Sequence, residues 1–185
     1  DCRDAGLQLL ADLNKAFKTE DKGELEWFLG MKIDRNIKGG YVDISQEQYS
    51  ILLCKEMGLD YETTVPLLSP EIKEELTKDQ APTTDAEREE ILAFDYRKIV
   101  GMLIFNMVCC RPAIMHSLKM VSQFTTNPGI PHKQAAIRIG RYICGCTGAK
   151  LRLHGNKDTS EIIAGFVCDS DDSNSTDHRR SLNTV

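Results

Sequence analysis

Between Tyr96 and Lys157 the chain contains no aspartate or glutamate, although this stretch of 62 residues carries ten lysines and arginines. The acids are displaced to either side. Residues 1–95 hold 11 basic and 22 acidic residues, and residues 158–185 hold 2 and 6. The three segments therefore carry formal charges of −11, +10 and −4, and the overall −5 conceals a segregated positive region. Segregated positive charge is the footprint of a phosphate-binding surface. It is equally the footprint of a basic helical face that is merely solvated. Other absences narrow the class. No apolar run approaches the ~20 residues needed to cross a bilayer, so no membrane partner is expected. The start, DCRDAGLQLL, lacks a signal-peptide layout and an initiator Met, and reads as an excerpt of something longer. The seven cysteines lack framework spacing, which fits a reducing compartment better than a secreted one. Cys144-Gly-Cys146 with His154 has no second pair at metal-ligand spacing, so buried free thiols are expected rather than zinc.

What is present reads as a mixed chain of one or two domains. Leu7, Leu10, Leu13 and Phe17 recur at helical spacing and predict an amphipathic helix over 6–18. Leu25, Trp27, Leu29, Met31 and Ile33 alternate with charged or small residues, which predicts one half-buried strand. Lys38-Gly-Gly40 turns the chain into a second strand at Tyr41–Ile44. Ser45, with Gln48 three residues on, reads as the cap of a helix over 46–57 that Gly58 stops. Residues 60–94 are acidic and rich in Pro and Thr, and read as a long, partly irregular connection with a short helical turn near 70–77. Tyr96, Ile99, Val100, Leu103, Ile104 and Met107 give an unbroken helical stripe. Arg111-Pro112 breaks it, and Pro112 opens a helix through Phe124. A third helix runs from Pro131 to near Cys146, with Lys133, Arg138 and Arg141 inside one arc of roughly 140° opposite its apolar side. His116, His132 and His154 have no nucleophile or metal partner in the sequence and read as helix or turn polar groups. Lys150–His154 and Glu161–Cys168 read as strands, the second emptying into Asp169-Ser-Asp171-Asp172. A carboxylate at a strand end suits a Mg²⁺ ligand, and a solvated acidic loop is the plain alternative.

The order of these pieces resembles copia-type LTR-retrotransposon Pol polyproteins, in the C-terminal part of the reverse transcriptase running into RNase H. The likeness is carried by Leu25-Glu-Trp-Phe-Leu-Gly-Met-Lys-Ile33, Ile44-Ser-Gln46 and Tyr49. It continues through Tyr96-Arg-Lys-Ile-Val-Gly101, Arg111-Pro112, Val121-Ser-Gln-Phe124, Pro128, His132, Ala136 and Arg141-Tyr142. It ends in Gly165-Phe166, Asp169-Ser-Asp171 and Arg179-Arg180-Ser181. The resemblance implies an α+β fold. Residues 1–45 would be the end of the palm with a primer-grip-like β-hairpin at Trp27-Phe-Leu-Gly30. Residues 46–148 would be a helical thumb and connection containing the irregular segment 60–94, and 149–185 the incomplete start of an RNase H-like domain. Trp27, Gly30, Arg111, Lys133, Arg138 and Arg141 would contact nucleic acid, an RNA–DNA hybrid or DNA template–primer, mostly through its phosphates and shape. A Trp on an alternating strand is otherwise a core residue. Asp169 would be the first metal-binding carboxylate, with Mg²⁺ implied by the family alone.

The sequence also departs from the family. Tyr-x-Asp-Asp occurs nowhere in the chain, and Asp171 is followed by Asp172-Ser-Asn174 where the family's Asp-x-Asp is followed by Trp-Ala-Gly. Two-metal chemistry needs several carboxylates around its cations, so neither active site is complete and binding without catalysis is expected. The remainder of a Pol polyprotein is the other implied partner, in a cytoplasmic virus-like particle or the nucleus. A host-adopted helical module that binds protein is the alternative reading.

Overall fold

A computed structural model of the chain describes residues 2–20 and 22–155. Its order is α1 (Cys2–Ala16), β1 (Trp27–Phe28), β2 (Met31–Asn36), β3 (Tyr41–Ser45), α2 (Glu47–Glu56), α3 (Asp85–Phe94), α4 (Tyr96–Cys110), α5 (Met115–Ser122), α6 (Ile130–Cys144) and β4 (Lys150–His154). Short 3₁₀ turns lie at Lys78–Gln80 and Pro112–Ile114. The four strands form one antiparallel sheet in the order β1-β2-β3-β4, so the fold is α+β. The expected strand Glu161–Cys168, Asp169 and Arg179-Arg180-Ser181 lie outside the described residues.

The alternation at 25–33 turns out to hide a reversal. Trp27 pairs with Lys32 and Phe28 with Met31, leaving Leu29 and Gly30 as a two-residue loop. Both have positive φ, 48° and 75°, the geometry that matches the right-handed twist of a tight hairpin. A period-two pattern carries straight through such a loop, which is why one strand was expected where there are two. The next turn is the one the glycines announce. Asn36 Oδ1 accepts from the Gly39 N–H at 2.7 Å, and Gly40 takes φ 67°. β3 then pairs along its whole length with β4, from Tyr41 opposite His154 to Ser45 opposite Lys150. The strand expected to open 149–185 therefore completes the sheet of the hairpin.

The core is helical. Leu53 and Cys54 of α2, with Met57 just beyond its end, meet Ile99, Val100 and Leu103 of α4, Leu118 and Val121 of α5, and Ala136, Ile139 and Ile143 of α6. The stripe expected at Tyr96–Met107 is this α4 face, with Ile104 the exposed exception. Tyr96 is nearly fully buried and its hydroxyl donates to the Val121 carbonyl at 2.8 Å, so it ties α4 to α5. Full burial of each such side chain contributes about 1.5–3 kcal/mol. Among the described residues no helix is long and apolar enough to cross a membrane.

Three local expectations are corrected. Gln46, not Ser45, flanks α2, and its side chain makes no cap bond because it is buried beside Asn106 and Cys110. The helical turn in the acidic connection falls at Lys78–Gln80, and a full helix follows at Asp85–Phe94. Thr84 starts that helix, its Oγ1 accepting from Glu87 N–H while the Glu87 carboxylate accepts from Thr84 N–H. Pro112 opens a 3₁₀ turn, and α5 begins only at Met115. The N-terminal helix forms, but Leu7, Leu9, Leu13 and Phe17 are exposed and only Leu10 is half-buried, so most of its apolar stripe is uncovered within the described residues.

Candidate nucleic-acid interface

The residues expected to contact nucleic acid fall into three places. Trp27 and Gly30 sit at the β1–β2 tip, Arg111 at the C-terminal end of α4, and Lys133, Arg138 and Arg141 on α6.

At the tip, Trp27, Phe28 and Leu29 are 56%, 50% and 67% exposed. Leu29 holds a left-handed backbone that costs an L-residue about 1–2 kcal/mol. Trp27 stands across from Lys32, whose ammonium lies 3.3 Å from Asp34. Asp34 also pairs with Lys150 at 3.1 Å, and these two lysines hold its carboxyl below the usual range. One strand over, the buried Asp43 accepts two hydrogen bonds from Arg152, at 2.7 and 2.8 Å. The guanidinium lies 3.9 Å from the Tyr41 ring centroid, and its bonds depress the Asp43 pKa. Asp43–Arg152 was not singled out from the sequence. Only the β3–β4 register brings residues 109 positions apart together, and no local signal encodes it.

Arg111 is 4% exposed, and its Nη2 donates to the Thr147 carbonyl at 2.6 Å. It fastens the loop after α6 to the end of α4, while its Nε has no hydrogen-bond partner among the described residues.

The arc on α6 is present and it is occupied. Lys133 pairs with Glu90 of α3 at 2.7 Å and lies over the Phe94 ring. Arg138 Nε donates to the Glu71 carbonyl. Arg141 donates through Nε and Nη2 to the Val65 carbonyl, at 3.2 and 3.1 Å. The fully buried His132 completes the row. Its Nδ1 accepts from Gly129 N–H at 2.8 Å, and its Nε2–H donates to the Thr77 carbonyl at 3.1 Å. Residues 65–81 thus run as a strap antiparallel to α6, from Arg141 back to Gly129. Glycines permit the contact: a methyl at Gly129 would lie 1.8 Å from the Gln80 carbonyl oxygen, and one at Gly145 2.6 Å from Pro66. An open groove of about 340 Å³ remains between them, lined by Glu74, Glu75, Arg138 and Arg141 along with apolar side chains such as Leu76 and Ile137. The signal for this contact was in the sequence. An acidic, irregular segment beside an acid-free one can pair within the chain as readily as with phosphate.

Cys54, Cys110 and Cys144 are buried free thiols, with the Cys144 S–H donating to Cys54 Sγ at 2.9 Å. Burial raises the pKa of all three. Among the described residues no group of three or more His, Cys, Asp or Glu could hold a metal ion. The implied ligand Asp169 lies outside those residues.

No protein-family model matches the chain, and no solved structure matches it. Curated relatives do. Over 182 residues, 97% of the chain, it is 35% identical to the retrovirus-related Pol polyprotein from transposon TNT 1-94 of Nicotiana tabacum. Over 176 residues, 90% of the chain, it is 30% identical to the retrovirus-related Pol polyprotein from transposon RE1 of Arabidopsis thaliana. A putative Ty5-1 transposon protein of Saccharomyces cerevisiae is 27% identical over 161 residues, 86% of the chain. The chain spans only 13%, 11% and 48% of the lengths of these three proteins. Matched along most of its own length by transposon polyproteins, the chain belongs to the copia-type retrotransposon Pol polyproteins.

Proposed function

We propose that this chain is the reverse-transcriptase part of such a polyprotein, from the end of the palm through thumb and connection, and that it binds a template–primer duplex. The observation that carries the reading is the β1–β2 tip. Three large apolar side chains are held in the open there on a backbone that costs energy at Leu29. Strain together with exposed aromatic surface is what a site facing a ligand requires, and a solvated turn requires neither. Bases or sugars at a primer end offer flat surfaces for Trp27 and Phe28, and Lys32 across from Trp27 supplies charge near the phosphates.

Trp27 is the sole tryptophan, so its fluorescence reports the tip directly. Titration with an RNA–DNA hybrid carrying a recessed primer end should change its emission. Trp27→Ala should weaken binding roughly 5- to 150-fold, given ~1–3 kcal/mol per aromatic–base stack. Unchanged emission and unchanged affinity together would sink the reading.

One observation favours a second reading, a helical module that binds another protein. The apolar stripe of α1 is exposed while the basic arc of α6 is already engaged. In that case hybrid leaves Trp27 emission unaltered and no salt-dependent hybrid binding is found.

A further inference from the structure

We propose that the strap at residues 65–81 is an intrachain occupant of a duplex-binding face on α6 and must lift for nucleic acid to take its place. The inference rests on the reading of this chain as a template–primer binder. It goes beyond that reading by assigning an autoinhibitory contact.

The strap imitates a nucleic-acid strand in three respects. It is an irregular chain lying along a helix, with only the turn Lys78–Gln80 regular. It presents oxygen acceptors to the same cations that would take phosphate, Val65 O to Arg141 and Glu71 O to Arg138, and a further carbonyl, Thr77 O, to the neutral ring of His132. It also carries Glu71, Glu74, Glu75 and Asp79, two of which line the groove beside both arginines. A carbonyl is a weaker acceptor for guanidinium than a phosphate oxygen, because charge-assisted pairs are stronger and bidentate. Neither Arg138 nor Arg141 has a carboxylate within salt-bridge distance among the described residues, so each keeps capacity for a stronger acceptor.

The strap is held chiefly by side chains of the face it covers. Among the described residues its one main-chain hydrogen bond to α6, Leu67 N–H to Arg141 O, is long at 3.4 Å. Ile72, 6% exposed, is its principal apolar anchor. An occupant fastened in this way can be displaced without unfolding the helix beneath it.

The test compares the full chain with Glu74→Gln/Glu75→Gln, and with Asp4→Asn/Asp12→Asn on α1 as a control of equal charge on another element. The probe is a 20-base-pair RNA–DNA hybrid, with glutamyl-endopeptidase cleavage at Glu71, Glu74 and Glu75 followed in the wild type. We expect the strap variant to bind hybrid three- to tenfold tighter than the control, and saturating hybrid to speed strap cleavage several-fold. Salt-dependent hybrid binding with equal affinity in the two variants, and strap cleavage unchanged or slowed, would overturn the inference and leave the binding reading intact. Absence of salt-dependent hybrid binding in every variant would overturn both.

Discussion

Leu29 is where the chain accepts backbone strain, and it allows stability and function to be pulled apart. In its left-handed position a glycine would relieve about 1–2 kcal/mol and give back part of that in unfolded-state entropy. Leu29→Gly should therefore raise stability by about 0.5–1 kcal/mol, seen as a melting temperature some 1–4 °C higher. If the tip faces a duplex, the same variant should bind hybrid more weakly, since it loses a large exposed side chain. Gly30→Ala should move stability the other way, by roughly 1 kcal/mol, because φ 75° is open to glycine and strained for alanine. A Leu29→Gly protein less stable than the parent would mean that Leu29 packs on something its exposure does not reveal.

Asp43 makes a second residue-scale claim. Its carboxyl is held below the usual range by two hydrogen bonds from Arg152, so the folded state releases that proton more readily than the unfolded chain does. The contribution is fully present above the unfolded value, about pH 4, and is lost as pH falls through the lower folded value. Acid should loosen the β3–β4 pairing first in that window. The Asp43 carboxyl resonance should titrate below the ordinary range in the parent and return toward it in Arg152→Gln. An Asp43 that titrates normally in the parent would remove the pair from the account of the sheet.

At the scale of elements, α4 and α6 were legible because their apolar residues repeat at 3.6 and a proline or glycine marks their ends. The β1–β2 reversal was not, because Leu29-Gly30 preserves the alternation on either side. α3 was missed for a different reason. Its cap, Thr84 with Glu87, lies inside an acidic run whose composition suggested irregular chain. The candidate site was half legible: helical spacing puts Lys133, Arg138 and Arg141 on one helix, and α6 carries all three, while the strap over it depends on contacts between residues about 55 to 76 positions apart, which periodicity cannot report. Two expectations follow for these elements. α1 leaves most of its apolar stripe exposed, only Leu10 being half-buried, and helices of this length with little tertiary packing are marginal in water. Its amides should exchange rapidly while those of α4 are protected, and protection of α1 equal to α4 would show that the stripe is covered in solution. Gly129→Ala should push Gln80 off the start of α6, costing about 1–3 kcal/mol as overpacking does and raising exchange along the strap. Unchanged strap exchange in that variant would show that the approach relaxes without moving the strap.

Across the whole molecule the charge segregation is the dominant electrostatic fact, and the structure turns it inward. The acidic connection 60–94 lies against α6, which belongs to the acid-free region, through Lys133–Glu90 and through the arginines that hold the strap. The acidic sheet residues Asp34 and Asp43 likewise meet Lys150 and Arg152 from the end of that region. A chain of net charge −5 with mixed surface charge would be stabilised by added salt, which screens self-repulsion. Here attraction between oppositely charged segments should prevail over repulsion within them. Raising sodium chloride from about 0.02 to 0.3 M shortens the screening length from about 20 to 6 Å, beyond which exposed charges scarcely interact. Each exposed pair contributes only about 0–1 kcal/mol, so a total loss of ~1 kcal/mol is the scale to expect. The melting temperature should fall by about 2–4 °C over that range, and by less in Arg138→Ala/Arg141→Ala, where part of the attraction has been removed. A melting temperature that rises with salt would mean that the separated charges act mainly through repulsion, and the basic arc would then be available to an external anion without competition from the strap.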